Sequence, residues 1–292
     1  MICGQQRARQ GRVLGSARGP AETVSRRFTS LTSSTPDALW NSPALRAMRP
    51  TAVRCADVTR PPHLSRCSIS VSVGTRLLVV SEPYDSASSL LRVLAGLSRP
   101  QRGSIEIAGL SEGWERRVAY IGPEPGIHAW MTPREVLDLA SGLLGLHGAE
   151  ARRRADLALD WARVRPEEVD RPLSRGGASV FQRVALASAL IADPEVLLLD
   201  EPLRELDETE RMRLLTIPGP RRTVVIASRY PASDAPLASH VALLRNGRVA
   251  MVASTADLED ADLPFSMSGI AELADRRASE SSCHAGPVAA AQ

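Results

Sequence analysis

Lysine is absent from this sequence of 292 residues, and all 36 of its basic residues are arginine. The absence excludes any phosphate-binding site that depends on a lysine ammonium group. Aromatic residues are also scarce, at 3% of the chain, while 43% of the residues are hydrophobic. Aliphatic side chains therefore have to fill the core of one large domain or two modest ones.

Long hydrophobic runs are missing as well. No apolar stretch approaches the roughly 18 residues that a membrane-spanning helix needs. We therefore expect any role at a membrane to come through a partner protein. No internal repeat is evident.

Charge is distributed unevenly, although the formal net charge is only +3. Residues 1–50 hold eight arginines against Glu22 and Asp37, a net of +6. Residues 51–265 hold 26 arginines and 28 acidic residues, a net of −2. Because a nucleic-acid-binding surface needs clustered positive charge, the near-neutral folded part does not support nucleic acid as a partner.

Cysteine is rare, and the four cysteines form no close pair: Cys3, Cys55, Cys67 and Cys283. Cys55 and Cys67 lie near His63 in the sequence, but a metal site would need a fourth ligand that this neighbourhood lacks. We expect buried or idle thiols in a reducing cytosol.

The first 50 residues are rich in Arg, Ser, Gly and Ala and have neither helical nor strand periodicity, which predicts disorder. Their basic, acid-poor composition is also that of an organellar transit peptide. A simpler hypothesis is that translation begins at Met48, so that the native protein lacks this leader. The mass of the intact native protein distinguishes these interpretations.

Apolar periodicity from residue 51 onward predicts alternating strands and helices, an α/β arrangement with a helical subdomain. The predicted strands are residues 52–58, 67–73, 76–80, 103–109, 117–121, 196–199, 223–227, 241–244 and 248–252. The predicted helical segments are residues 88–97, 131–165, 183–191 and 208–215. Thr132 and Pro133 form a helix start signal, and Asn246 with Gly247 predicts a hairpin turn. The Ser, Ala and Glu content of residues 266–292 predicts a loose tail.

One buried strand carries two adjacent carboxylates at its carboxyl edge, where open α/β folds bind their ligands. Four apolar residues, 196–199, are followed directly by Asp200 and Glu201. One carboxylate could hold a hydrated metal ion and the other could polarise a water molecule. A charged cap on a core strand would give the same pattern without any chemistry.

Four segments in this order and spacing, one of which contains the strand itself, give it a specific context. They are Ser-Leu-Leu-Arg-Val-Leu-Ala-Gly-Leu (89–97), Arg-Pro-Gln-Arg-Gly-Ser-Ile (99–105), Gln-Arg-Val-Ala-Leu-Ala (182–187) with Asp-Pro-Glu-Val-Leu-Leu-Leu-Asp-Glu-Pro (193–202), and Val-Ala-Leu-Leu-Arg-Asn-Gly-Arg (241–248). Together they resemble the ATP-binding domain of ATP-binding cassette (ABC) proteins. The resemblance implies a P-loop NTPase-like domain over residues 51–265, with a mostly parallel sheet, an antiparallel β subdomain and an inserted helical subdomain.

The resemblance also implies ATP and Mg²⁺ as cofactors and assigns positions to them. The phosphate-loop segment is residues 81–88. The implied nucleotide contacts are Ser81, Ser86, Ala87 and Ser88 of this segment and Ser89, which directly follows it. Ser88 and Asp200 stand at the Mg²⁺ positions, Glu201 at the general-base position, and Asp207 at the position that couples two subunits. The implied partners are an integral membrane permease and a second ABC ATP-binding subunit, as a homo- or heterodimer at the inner face of the cell membrane.

The chain departs from the family pattern at most of these motifs. Both phosphate-loop glycines are serine, the lysine position is Ala87, and Glu82 and Asp85 add negative charge where an anion should bind. The signature motif aligns with residues 176–180, or with 173–177 after a three-residue insertion. Gly122-Pro123-Glu124 stands in place of the Mg²⁺-sensing glutamine, His63 in place of the adenine-stacking aromatic, and Arg229 in place of the switch histidine.

These substitutions predict weak or absent ATPase activity. The favoured hypothesis is a cassette subunit with degenerate motifs that serves a permease as a structural or regulatory partner. Val118–Leu137 resembles the stretch that faces the permease in exporter-type relatives, so we expect an exporter-like assembly. The alternatives are an active ATPase with a modified phosphate loop, an interaction or regulatory module outside transport, and the product of a decaying gene.

Overall fold

The computed structural model describes residues 50–83, 85–201, 206, 207, 209, 210 and 222–284. A compact unit begins at Pro50. The predicted leader lies outside the described residues except for Pro50, as do residues 285–292 and most of the helix predicted over 208–215.

Nine strands are found in the described part of the chain. They are β1 (Thr51–Arg60), β2 (Leu64–Ser72), β3 (Arg76–Glu82), β4 (Arg102–Ile107), β5 (Val118–Ile121), β6 (Val196–Asp200), β7 (Thr223–Ala227), β8 (His240–Arg245) and β9 (Arg248–Ser254). The strand predicted over residues 223–227 has the observed bounds, and the others agree within a few residues. Asn246 and Gly247 both have positive φ, 50° and 73°, as the predicted hairpin turn between β8 and β9 requires.

Seven α-helices are described over the same ranges. They are α1 (Asp85–Leu94), α2 (Pro133–Leu143), α3 (Gly148–Trp161), α4 (Gly177–Leu190), α5 (Pro231–Asp234), α6 (Thr255–Asp260) and α7 (Met267–His284). The predicted start of α2 is confirmed: Thr132 caps it in a capping box with Glu135, and Pro133 is its first residue. Two other helices begin earlier than predicted, α1 by three residues and α4 by six.

Two sheets organise these elements, which confirms the predicted fold class. The larger sheet has the order β5-β6-β7-β3-β8-β9, and all its neighbours are parallel except β8 and β9. The smaller sheet is antiparallel, with the order β2-β1-β4.

The parallel strands are buried on both faces, as their continuous apolar runs predict. Leu77 and Val79 of β3 belong to a core shared with α1 and the antiparallel sheet. Leu78 and Val80 belong to a second core on the opposite face, which includes residues of α4 and α7. A third core joins α2, α3 and α4, and these helices form the predicted helical subdomain.

The predicted loose tail over residues 266–292 is wrong for Met267–His284, which form α7. Ile270, Leu273 and Ala274 recur at helical spacing and are buried against the larger sheet. Arg277 also pairs with Asp257 of α6 at 3.0 Å. The polar composition of this segment conceals a narrow apolar stripe, which is enough to pack a helix against a sheet.

None of the described helices is long and apolar enough to cross a membrane. Cys55 and Cys67 are free thiols buried between β1, β2 and their neighbours, as predicted. Burial raises the pKa of Cys55 to about 12, with a smaller contribution from Cys67, and raises the pKa of Cys67 to about 11. No group of three or more His, Cys, Asp or Glu side chains in the described ranges is placed to hold a metal ion.

Candidate functional site

The carboxyl ends of β6, β7 and β3 lie side by side at one edge of the larger sheet. Asp200 is the last residue of β6, and Ser81 and Glu82 end β3. Strand β7 lies between them, with Ala227 opposite Asp200. This edge is the place where parallel α/β sheets bind ligands, and the sequence predicted the candidate site there.

Ser88 and Asp200, the two positions assigned to Mg²⁺, are in direct contact. The Ser88 hydroxyl donates a hydrogen bond to Asp200 Oδ1 at 2.8 Å, across 112 residues of sequence. Asp200 is fully buried. Because burial of a polar group costs free energy unless the group is hydrogen-bonded, this contact stabilises α1 against β6.

Tyr120 supplies a second donor that the sequence analysis missed. Its hydroxyl donates to Asp200 Oδ2 at 3.1 Å, so that both carboxylate oxygens of Asp200 accept a hydrogen bond from the protein. Burial and then the charge of Asp200 raise the pKa of Tyr120, which keeps the hydroxyl protonated. Tyr120 in turn raises the pKa of Arg92 of α1.

The described part of the phosphate-loop segment makes hydrogen bonds within itself. The Ser81 hydroxyl accepts a hydrogen bond from the backbone N–H of Ala87 at 3.0 Å. In a phosphate loop such N–H groups face the nucleotide, and here one of them already has a partner. Ser86 is fully buried, and its hydroxyl has no hydrogen-bond partner among the described residues.

Charge at the segment is dominated by two exposed carboxylates. Asp85 lies in the first turn of α1, and Glu82 ends β3. Arg245 Nε lies 3.6 Å from Glu82 Oε2, and Arg245 also pairs with Asp275 of α7. Arg245 is therefore a cation beside the segment that sequence analysis did not find, although two carboxylates share its charge.

Glu201, at the general-base position, contacts Arg229, at the switch position. Glu201 Oε1 accepts a hydrogen bond from the Arg229 backbone N–H at 3.1 Å and lies 3.5 Å from Arg229 Nε. The Glu201 side chain is only 12% exposed. The structure thus brings these two predicted positions together and gives the carboxylate a cationic neighbour.

Asp207, at the position that couples two subunits, lies at the start of a helical turn. Its Oδ1 accepts from the Glu210 N–H at 2.8 Å, and its own N–H donates to Glu210 Oε2 at 3.2 Å. Glu210 also accepts from Ser179 and lies 3.2 Å from Arg183, both on α4. This reciprocal pairing is that of a capping box, so Asp207 already has a structural role.

The remaining predicted positions lie on several elements. Residues 176–180 include the first four residues of α4, whereas Leu173–Arg175 form a short 3-10 turn before it. Ser89 is buried on α1. His63 lies in the turn between β1 and β2, where its N–H donates to Arg60 O.

The donor set fits Mg²⁺ better than it fits a triphosphate. A hydroxyl and a carboxylate at Ser88 and Asp200 are oxygen ligands of the kind that Mg²⁺ uses. The phosphate side has no cation within the segment, one N–H occupied by Ser81, and two carboxylates nearby. The segment itself therefore supplies no lysine or arginine for the phosphates of ATP.

Comparison with known proteins gives consistent matches. A family model described as ABC transporter matches residues 68–204. The aliphatic sulfonates import ATP-binding protein SsuB of Corynebacterium glutamicum is 32% identical over 191 residues, which are 64% of this chain and 75% of that protein. The taurine import ATP-binding protein TauB of Mesorhizobium japonicum is 37% identical over 158 residues, 53% of this chain, and the chain spans 60% of its length.

Solved structures agree on the fold. The dimeric structure of an ATP-binding cassette in a post-hydrolysis state, bound to ADP and phosphate, superposes with a TM-score of 0.61 at 19% identity. The match covers 69% of this chain and 98% of that one. At this identity the likeness concerns the fold alone.

Proposed function

Since the chain belongs to the family of ABC transporter ATP-binding proteins, we propose that it supports a membrane permease as a structural or regulatory subunit and does not turn over ATP. The family binds ATP with Mg²⁺ and works with permeases as dimers. At the nucleotide site of this chain, several groups at the positions that should meet ATP contact one another.

The phosphate-loop segment carries the proposal. Ala87 stands at the lysine position, and its backbone N–H is held by Ser81. Charge-assisted hydrogen bonds contribute about 1.5–3 kcal/mol each, so loss of the lysine alone weakens phosphate binding by roughly tenfold to a hundredfold. Repulsion from Glu82 and Asp85 weakens it further.

Asp200 and Glu201 give additional support. Asp200 Oδ2 accepts a hydrogen bond from Tyr120, and Glu201 faces Arg229. A carboxylate that holds an internal cation is poorly placed to polarise an attacking water. The preserved strand and its two carboxylates then persist for stability of the sheet edge.

The proposed partners are an integral membrane permease and a second ATP-binding subunit, either a copy of this chain or a homologue. The protein would then be cytoplasmic and peripheral at the inner face of the cell membrane. Val118–Leu137 favours an exporter-like assembly, whereas the two named relatives are import proteins. The proposal therefore assigns no direction of transport.

One exposed aromatic group supports the permease-facing role of this stretch. Trp130 is 68% exposed, and its ring stacks on that of His128 with centroids 5.6 Å apart. Exposed tryptophans are frequent anchors of protein interfaces. We expect a multi-span membrane protein to co-purify with the wild type and less of it with Trp130→Ala, whereas Tyr230→Ala, at another exposed aromatic, retains it. Equal recovery with both variants would contradict this role.

Phosphate release from Mg²⁺–ATP tests the absence of turnover. The wild type and Glu201→Gln should both remain at the background rate, in the presence and absence of the co-purified permease. A wild-type rate above background that Glu201→Gln abolishes would overturn the proposal.

An active ATPase with a modified phosphate loop is the second candidate. The contact between Ser88 and Asp200 favours it, because this oxygen pair keeps the donors of a Mg²⁺ site. Under this candidate the same assay shows turnover that depends on Mg²⁺ and on Glu201.

A further inference from the structure

The contact between Glu201 and Arg229 joins the segments that follow two neighbouring strands. Glu201 comes directly after β6, and Arg229 comes two residues after β7. The Glu201 N–H donates to Ala227 O at 3.1 Å, and the Arg229 N–H donates back to Glu201 Oε1 at 3.1 Å. The β6–β7 pairing is thereby extended beyond the last ladder residues, first by backbone and then by a side chain.

Main-chain hydrogen bonds hold the Glu201–Arg229 contact in place more firmly than the side chains of a surface ion pair are held. Ser228 accepts from the Tyr230 N–H at 2.9 Å and donates to Asp234, so the turn that carries Arg229 is held on both sides. Ser228 N also donates to Val79 O of β3 at 3.2 Å. The Arg229 N–H is thus presented toward Glu201 by a turn that the buried Ser228 anchors, while the exposed guanidinium lies near the same oxygen.

Glu201 has a φ of 54°, in the left-handed region that residues with a side chain rarely adopt. Such a conformation costs free energy and persists only where its surroundings compensate for it. The two hydrogen bonds of Glu201 to the β7 segment are that compensation. Side-chain and main-chain contacts of this residue therefore act together.

We propose that Arg229 and Glu201 form an internal clasp that closes the general-base position and makes Glu201 a structural residue of the sheet edge. The clasp deepens the proposed function, because it identifies Arg229 as the residue that contacts the carboxylate at the general-base position. It rests on that function only for its effect on turnover, because its contacts are independent of nucleotide.

Amide hydrogen exchange at Arg229 tests the clasp in the full-length protein. The Arg229 N–H should be protected in the wild type and exchange about tenfold faster in Glu201→Ala, the loss expected for a charge-assisted hydrogen bond. Glu112→Ala, which removes an exposed carboxylate elsewhere, should leave the rate unchanged. Amide exchange rates in the core strands that equal those of the wild type verify that each variant is folded.

Two outcomes overturn the clasp. One is an Arg229 amide that exchanges freely in the wild type, and the other is protection that Glu201→Ala does not change. If Glu201→Ala fails to fold, Glu201→Gln decides: its weaker neutral acceptor should reduce protection, and unchanged protection refutes the clasp. ATP turnover with a protected Arg229 amide would refute both the closure of the general-base position and the proposed function, whereas an unprotected amide without turnover would refute the clasp alone.

Discussion

Replacement of Tyr120 by phenylalanine removes one hydrogen bond to a buried carboxylate and changes little else in shape. The hydroxyl lies 3.1 Å from Asp200 Oδ2, and Asp200 is fully buried. Hydrogen bonds to charged groups contribute about 1.5–3 kcal/mol. Because Asp200 keeps its bond from Ser88, we expect a loss near the lower end, about 1.5 kcal/mol in the free energy of unfolding.

Urea unfolding at pH 7 measures this loss, and for a domain of this size it corresponds to a fall of about 3–6 °C in Tm. The pKa of Tyr120 is raised in the folded state by burial and by Asp200. The native protein therefore holds this proton more tightly than the unfolded chain does. The stability difference between wild type and variant should be constant below about pH 10 and should decline above it.

Tyr230→Phe is the matched control, since Tyr230 is 67% exposed and belongs to the same site edge. Its hydroxyl should contribute less than about 0.5 kcal/mol. Equal stabilities of Tyr120→Phe and Tyr230→Phe, or a difference that grows with alkaline pH, would refute the inference that Tyr120 holds Asp200.

The remaining predictions concern the core. Ile270→Ala should destabilise the protein by about 2–5 kcal/mol, because Ile270 of α7 is fully buried. The control Leu143→Ala, at an 80% exposed position, should cost less than about 0.5 kcal/mol. Similar urea midpoints for the two variants would mean that α7 is not part of the core. In a Cys3→Ser, Cys283→Ser background, Cys55 and Cys67 should resist a thiol reagent at pH 8, because burial raises their pKa values to about 12 and about 11. Both should react in denaturant, and rapid labelling of the native protein would contradict their burial.

Patterns that lie within one element were predictable from the sequence. The apolar run before Asp200 and the strand Thr223–Ala227 were found because strands buried on both faces read as continuous hydrophobic segments. The Thr132 cap was found because its signal is contained in four residues. The order of such elements was sufficient to identify the fold.

Features that depend on distant residues were not predictable in the same way. The composition of Met267–His284 predicts a loose tail, because the segment is polar on average although three of its apolar residues are buried. Tyr120 and Arg245 reach the site through pairing of strands far apart in sequence. Tyr120 could have been predicted as a site residue, because it is a tyrosine near the end of the apolar strand that neighbours β6. No local sequence pattern indicates that Arg245 lies at the site.

At the site itself, sequence reasoning placed the residues better than it described their contacts. The family resemblance assigned Glu201 from its motif and Arg229 from its spacing, and the two residues do lie together. Their direct contact, and the hydrogen bond from Ala87 to Ser81, depend on side-chain geometry that motif alignment does not contain. These contacts join an intact carboxylate pair to a phosphate-loop segment in which serine and alanine stand at the glycine and lysine positions of the family.

Equilibrium titration of the protein with a fluorescent ATP analogue and Mg²⁺ tests the central claim most directly. The account predicts no saturable binding of the wild type at micromolar concentrations. A Ser81→Gly, Ser86→Gly, Ala87→Lys variant, which frees the backbone N–H of residue 87 and restores a cation, should bind roughly tenfold to a hundredfold more tightly. Micromolar affinity of the wild type would contradict the claim that its phosphate-loop segment does not fit ATP.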